Sequence, residues 1–176
     1  MRADGSVRLG IVADTHSVPH EPGLVHLAAQ KPDFILHGGD IGDLGVLERL
    51  AQIAPVYAVR GNIDVRASEL PDVLTLELVH QERTQITLML THIALYGARI
   101  RADAAKRARA EKASVIICGH SHVPLIGQER GLSIFNPGSI GPKRFHLPIL
   151  FGAMDLSPTA VSLRHFDCET GAAWTP

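Results

Sequence analysis

Aromatic side chains are scarce in this chain, at 5% of its 176 residues. Its core must therefore be aliphatic, built from Val, Ile, Leu and Ala rather than from stacked rings. Cysteine is scarcer still. Cys118 and Cys168 belong to no C-x-x-C pair, so no disulfide framework is expected and a reducing cytoplasm is the simpler setting. No charge of one sign dominates: the formal net charge is −1, which removes the electrostatic reason to expect nucleic acid or an anionic membrane as partner. No apolar run approaches membrane-spanning length, and the N-terminus "MRADGSVRLGIVADTH" lacks a signal-peptide hydrophobic region. These absences leave one cytoplasmic globular domain over residues 1–176 as the expectation.

Histidine, in contrast, is abundant, with ten copies unevenly spread. Their placement follows from the order of elements. "VRLGIVAD" (7–14), "PDFILHGGD" (32–40) and "APVYAVRGN" (54–62) read as buried strands, separated by helical patterns at 21–30 and 41–52. That alternation is the signature of parallel βαβ units. Beyond it, 73–80 and 85–92 flank "QERT" as an antiparallel hairpin. The Ala-rich stretch 98–112 predicts a helix, "SVIICG" a strand, and 124–138 a second hairpin turning at Glu129–Gly131. "PILFGAMDLSP" and "TAVSLRHF" supply closing strands, so the chain is α/β with extra antiparallel strand.

In open α/β sheets, ligands bind beyond the carboxyl ends of the strands. Here those ends carry Asp14 and His16 in "DTH", Asp40 in "GD", Asn62 in "GN", His92 in "TH", and His120 and His122 in "GHSH". Residues i and i+2 of an extended segment share a side, which would aim Asp14 with His16, and His120 with His122, at common points. So many nitrogen and oxygen donors at one rim repel one another unless cations join them. Imidazole and carboxylate without thiolate suit two divalent ions, with Mn first among Mn, Fe, Zn, Ni and Co. Two carboxylates and a bridging hydroxide against two such ions leave a formal charge of about +1, attractive to a phosphate oxygen.

The ordered set "DTH…GD…GN…H…GHSH" resembles the calcineurin-like metallophosphoesterase superfamily, and the late "FNPGSIGPKR" is most similar to its YfcE-like single-domain phosphodiesterases. The resemblance runs from Val7 to the closing strands. It implies a four-layer α/β/β/α sandwich of two mixed β-sheets flanked by helices, with metals at the sheet edges. By the same resemblance Asp14, His16 and His122 would hold one ion, Asp40 would bridge, and Asn62, His92 and His120 would complete the second site. Asp40, Asn62 and His92 would also serve catalysis, and a hydroxide spanning the ions would attack a small or nucleotide-like phosphodiester in line. Asn136 and Ser139 of "NPGS" would lie beside the site.

Two departures qualify the resemblance. "GNID" places Ile63 where many members carry a histidine that protonates the leaving group, so diesters with good leaving groups are the expected substrates. "THIALYG" keeps His92 but has Ile93 and Ala94 where the subfamily commonly shows Gly and a second His, which puts one contact to the substrate phosphate in doubt. Two other readings stand beside the phosphodiesterase: a protein-binding scaffold on the same fold, as in a retromer subunit whose metal site has decayed, and a phosphomonoesterase. Retention of every ligand-type residue argues against the scaffold, and Ile63 against the monoesterase. His37 is a candidate support for the ligands. His26, His80 and His165 read as packing or backbone-bonded histidines. The basic helix face at 98–112 is where a nucleic acid would bind if one did, and exposed strand edges leave a homo-oligomer open.

Overall fold

A computed structural model of the chain describes residues 2–175. In chain order the elements are β1 (Val7–Val12), α1 (Glu21–Ala29), β2 (Phe34–His37), α2 (Gly45–Ala51), β3 (Val56–Ala58), β4 (Val73–His80), β5 (Arg83–Thr91), β6 (Leu95–Tyr96), β7 (Arg99–Ile100), α3 (Ala102–Ala110), β8 (Val115–Ile117), β9 (Leu125–Glu129), β10 (Leu132–Asn136), β11 (Leu150–Ser157), β12 (Ala160–Asp167) and β13 (Ala173–Trp174). One sheet has the order β13-β12-β11-β1-β2-β3 and the other β4-β5-β8-β10-β9. Strands β1, β2 and β3 pair in parallel, as do β5, β8 and β10, while the outer pairings are antiparallel.

Strand periodicity explains how the layers stack. Val7, Leu9 and Ile11 of β1 face the second sheet, where they meet Leu88, Leu90, Val115, Ile117 and Phe135. The opposite faces are also covered: Leu24 and Leu27 of α1 and Leu50 of α2 pack with Val12 and Ile35 of the first sheet. Ala104 and Ala108 of α3 pack on Met89, Ile116 and Ile134 of the second. Because both faces of the central strands are buried, they read as continuous apolar runs instead of alternating ones. The outcome is the helix–sheet–sheet–helix layering expected above. Two sheets of parallel central strands present their carboxyl ends along one rim.

Some local expectations need correction. Residues 98–101 are not helical. Gly97, at φ 58°, turns a short β6–β7 hairpin that pairs Leu95 with Ile100 and Tyr96 with Arg99. The Arg101 amide then donates to the Ala94 carbonyl at 2.9 Å, so α3 starts only at Ala102. Helix α2 starts at Gly45 rather than at 41, because the amides of Ile41 and Gly42 are taken by the Asp64 carboxylate. The first hairpin turns more tightly than "QERT" suggested, over Gln81 and Glu82 at φ 48° and 61°.

Candidate metal centre

Asp14 and His16 follow β1, Asp40 follows β2, Asn62 follows β3, His92 follows β5, and His120 and His122 follow β8. The structure brings these side chains together, though not by the alternation of an extended strand. Asp14, His16, Asp40, His120 and His122 have φ of 57°, 44°, 54°, 71° and 58°. Each lies in the left-handed region that costs a residue with a Cβ free energy, and such strain collects at functional sites. Hydrogen bonds between strand ends hold it in place. The amides of Asp14 and His16 donate to the Gly39 and Asp40 carbonyls at 2.9 and 3.0 Å, and the Gly119 amide donates to the His92 carbonyl at 3.0 Å. The His120 amide donates to the Asp14 carboxylate at 3.1 Å.

Two clusters result. Asp14, His16 and His122 form one, and Asp40, His92 and His120 the other, each with its donor atoms within 4.8 Å of one another. In the first, His16 Nε2 and His122 Nε2 are 3.2 Å apart, and His122 Nε2 is 3.5 Å from Asp14 Oδ1. In the second, His92 Nε2 lies 3.2 Å from Asp40 Oδ1 and 3.1 Å from Asn62 Oδ1, which also lies 2.9 Å from His120 Nδ1. Asp40 spans the two: Oδ1 faces His92, and Oδ2 is 3.9 Å from His16 Nε2.

The donor chemistry fits divalent ions. His92 donates from Nδ1 to the Gly38 carbonyl at 2.8 Å, which leaves the Nε2 lone pair of its neutral form facing two oxygens, Asp40 Oδ1 and Asn62 Oδ1. Only a proton or a cation relieves that convergence. Burial and the Arg144 charge hold His16 and His122 below their usual range, His122 at about 4, so two neutral imidazoles direct nitrogens at each other beside a carboxylate. Burial pushes Asp14 up to about 7, so it needs a cation to stay fully ionised at neutral pH. Burial also opposes the charge on Asp40, but the His92 hydrogen bond and charge and the Ile63 amide outweigh it and hold that carboxyl at about 2. His122 Nδ1 is buried without a hydrogen-bond partner among the described residues.

The supporting groups are specific. His37 is buried. Its Nδ1 accepts from the Gly39 amide at 3.1 Å, so Nε2–H donates to Thr15 Oγ1 at 3.1 Å, and Thr15 donates on to the Ile41 carbonyl at 2.9 Å. That chain fixes the segment between Asp14 and His16. Asn136 donates to the Gly119 carbonyl at 2.8 Å and braces the "GHSH" turn, while Ser139 Oγ donates to the Asp14 carbonyl at 2.9 Å. His165 Nε2–H donates to the Asn136 carbonyl at 2.7 Å, in keeping with its reading as a backbone-bonded histidine.

Asp64 was missed by sequence reasoning. Its carboxylate accepts the amides of Ile41, Gly42 and Gly61 at 3.0, 2.8 and 2.7 Å, tying the Asp40 turn to the Asn62 turn. The spacing G-N-x-D was its only sequence signal. Gly61 is tied to the same joint, since a Cβ there would lie 2.1 Å from Asp40 N and Oδ1. Ile63 is 42% exposed and reaches Asp40 only through its backbone amide. Ile93 is 38% exposed, whereas Ala94 is buried in the cluster under α3, turned into core rather than into the site. A cavity of about 250 Å³ lined by Arg60, Asn62, Asp72, Thr91, His92 and Ile93 adjoins the second cluster.

Paired His/Asp clusters at the strand-end rim of a two-sheet sandwich define a class of metal-dependent phosphoesterase. The chain belongs to the calcineurin-like phosphoesterase superfamily, whose domain model matches residues 7–159. It is 30% identical over 143 residues to a probable metallophosphoesterase of Methanocaldococcus jannaschii, covering 77% of this chain and 69% of that protein. It is also 30% identical over 169 residues to phosphodiesterase YfcE of Escherichia coli, covering 85% and 88% of the two chains. Vacuolar protein sorting 29 of Cryptosporidium parvum shares the fold at a TM-score of 0.77 and 18% identity, over 96% of this chain and 95% of that one. Among the described residues no helix is long and apolar enough to cross a membrane.

Proposed function

We propose that the protein is a dinuclear metal-dependent phosphodiesterase, acting in the cytoplasm as one domain on small or nucleotide-like phosphodiesters. The observation that carries this reading is the pair of three-residue donor clusters with Asp40 between them, one carboxylate oxygen towards each. Asp14, His16 and His122 would hold one ion, and His92, His120 and Asn62 the other. When bound, two such ions, Mn²⁺ first in expectation, supply Lewis acidity to the phosphoryl oxygens and lower the pKa of coordinated water.

The protein's own part is positioning. The Gly38 carbonyl sets the His92 tautomer, Asp64 fixes the turn that carries Asp40, and Asn62 Oδ1 sits between His92 Nε2 and His120 Nδ1. Ile63 offers no proton to a departing alkoxide, which favours diesters with good leaving groups. The phosphodiesterase YfcE likeness points the same way. The fold likeness to vacuolar protein sorting 29 favours the scaffold as second reading; against it stands the full complement of donor side chains.

The test compares bis(p-nitrophenyl) phosphate with p-nitrophenyl phosphate. With Mn²⁺, hydrolysis of the diester should run at least tenfold faster, stop on chelation, and return when Mn²⁺ is restored. A faster monoester reaction moves the assignment to a phosphomonoesterase. No hydrolysis of either ester with Mn²⁺, Ni²⁺ or Zn²⁺ overturns the enzyme reading in favour of the scaffold.

A further inference from the structure

Three arginines stand at the rim, and their partners differ. Arg60 is paired with Asp72 through two bonds, Nε–Oδ1 at 2.5 Å and Nη2–Oδ2 at 3.1 Å. Arg101, close enough to His120 to affect its charge, is paired with Asp103 at 2.9 and 3.1 Å. Arg144 has no carboxylate within 4.0 Å among the described residues. Its Nη2 instead lies 3.1 Å from His16 Nε2.

The fold brings it there. Ser139 Oγ donates to the Asp14 carbonyl and accepts the Gly141 amide, and the Ile140 amide donates to the Ala13 carbonyl, so the base of the loop is fastened to the segment carrying Asp14. Arg144 follows three residues beyond Gly141, in a turn closed by the Leu147 amide on its carbonyl at 3.1 Å. A guanidinium is always charged and only donates, so its contact with His16 uses the imidazole lone pair. That lone pair is the one the proposed centre assigns to an ion. A cation on His16 would take the acceptor from Arg144 and repel its charge, leaving a fork of N–H donors over the centre with no anionic partner. A planar donor fork beside divalent charge matches the non-bridging oxygens of a phosphoryl group.

We propose that Arg144 is a phosphate-binding residue, gripping a non-bridging oxygen of the substrate on the His16–His122 side of the centre. This rests on the metal-centre reading above. It assigns the "PKR" stretch of the loop a part in binding substrate.

The test is calorimetry on the whole chain, first with Mn²⁺ and then with inorganic phosphate added to the Mn²⁺-loaded protein. In Arg144→Ala, Mn²⁺ affinity should equal or exceed that of the unsubstituted protein, and phosphate affinity should fall at least fivefold. Arg144→Lys should fall between the two, because a point charge lacks the fork. Arg101→Ala, which removes an arginine already neutralised, should change phosphate affinity less than fivefold. A fall below fivefold in Arg144→Ala, a parallel loss of Mn²⁺ binding, or an equal effect of Arg101→Ala each overturns the inference while leaving the metal centre standing. Absence of Mn²⁺ binding by the unsubstituted protein overturns both.

Discussion

Exchanging Asp64 for asparagine changes one atom and disturbs three hydrogen bonds. In the native joint Oδ2 accepts from Ile41 and Gly61, and Oδ1 accepts from Gly42. Hydrogen bonds to a charged group contribute roughly 1.5–3 kcal/mol each, against about 1 kcal/mol for neutral pairs. Asparagine can keep one oxygen on Ile41 and Gly61, at neutral strength. Its NH₂ then meets the Gly42 amide, donor against donor, at a separation now 2.8 Å. At the low end of those values, one charged bond lost and two weakened sum to about 3 kcal/mol, and Asp64→Ala, which loses all three, to about 4.5 kcal/mol or more. A domain with roughly 5–15 kcal/mol in hand survives the first change. The Asp40 turn loses its fastening to the Asn62 turn, so Mn²⁺ affinity should also fall about 10- to 100-fold, the usual effect of removing a ligand's support. Urea unfolding of the metal-free protein measures the stability loss, and Mn²⁺ calorimetry the affinity. A stability change under 1 kcal/mol in Asp64→Asn, or the full loss with undiminished Mn²⁺ affinity, would refute the reasoning.

Gly61→Ala should be harsher at the centre than its single methyl suggests, because that methyl falls 2.1 Å from Asp40 N and Oδ1. Mn²⁺ binding should be abolished, and calorimetry giving native affinity would show that the joint can open cheaply. His37, buried and held neutral with its pKa lowered to about 4, predicts a pH effect. A histidine with a depressed folded pKa contributes stability that is complete above about 6.5 and is lost as pH falls towards 4, about 3 kcal/mol over that range. His37→Asn can keep an acceptor for the Gly39 amide but cannot titrate. The stability gap between the two proteins should therefore shrink by about that amount between pH 7 and pH 4 in denaturant titrations; a gap independent of pH would sink the assignment.

The parallel strands were legible because both their faces are buried, so "VRLGIVAD" and "SVIICG" announce themselves as unbroken apolar runs. The donors were legible because strand ends in such sheets meet at one rim, which makes Asp14, Asp40, His92 and "GHSH" neighbours whatever the loops do. Helix propensity misled at Ala98–Arg101, where composition favours a helix but a glycine turn and the Ala94 carbonyl impose a hairpin. Alternation misled in the donor segments, where the backbone is left-handed rather than extended.

What the sequence determined alone was therefore the inventory and its approximate place: aliphatic layers, βαβ order, and imidazoles and carboxylates at strand ends. Those follow from local periodicity and residue chemistry. Tertiary structure decided the pairing of donors into two clusters, the spanning role of Asp40, the grip of Asp64 on the distant amides of Ile41 and Gly42 and the approach of Arg144 to His16. Each of these joins residues 20 or more positions apart, or depends on φ values that only contacts from other strands sustain. No local pattern encodes such contacts, because their free energy exists only once the two sheets have packed.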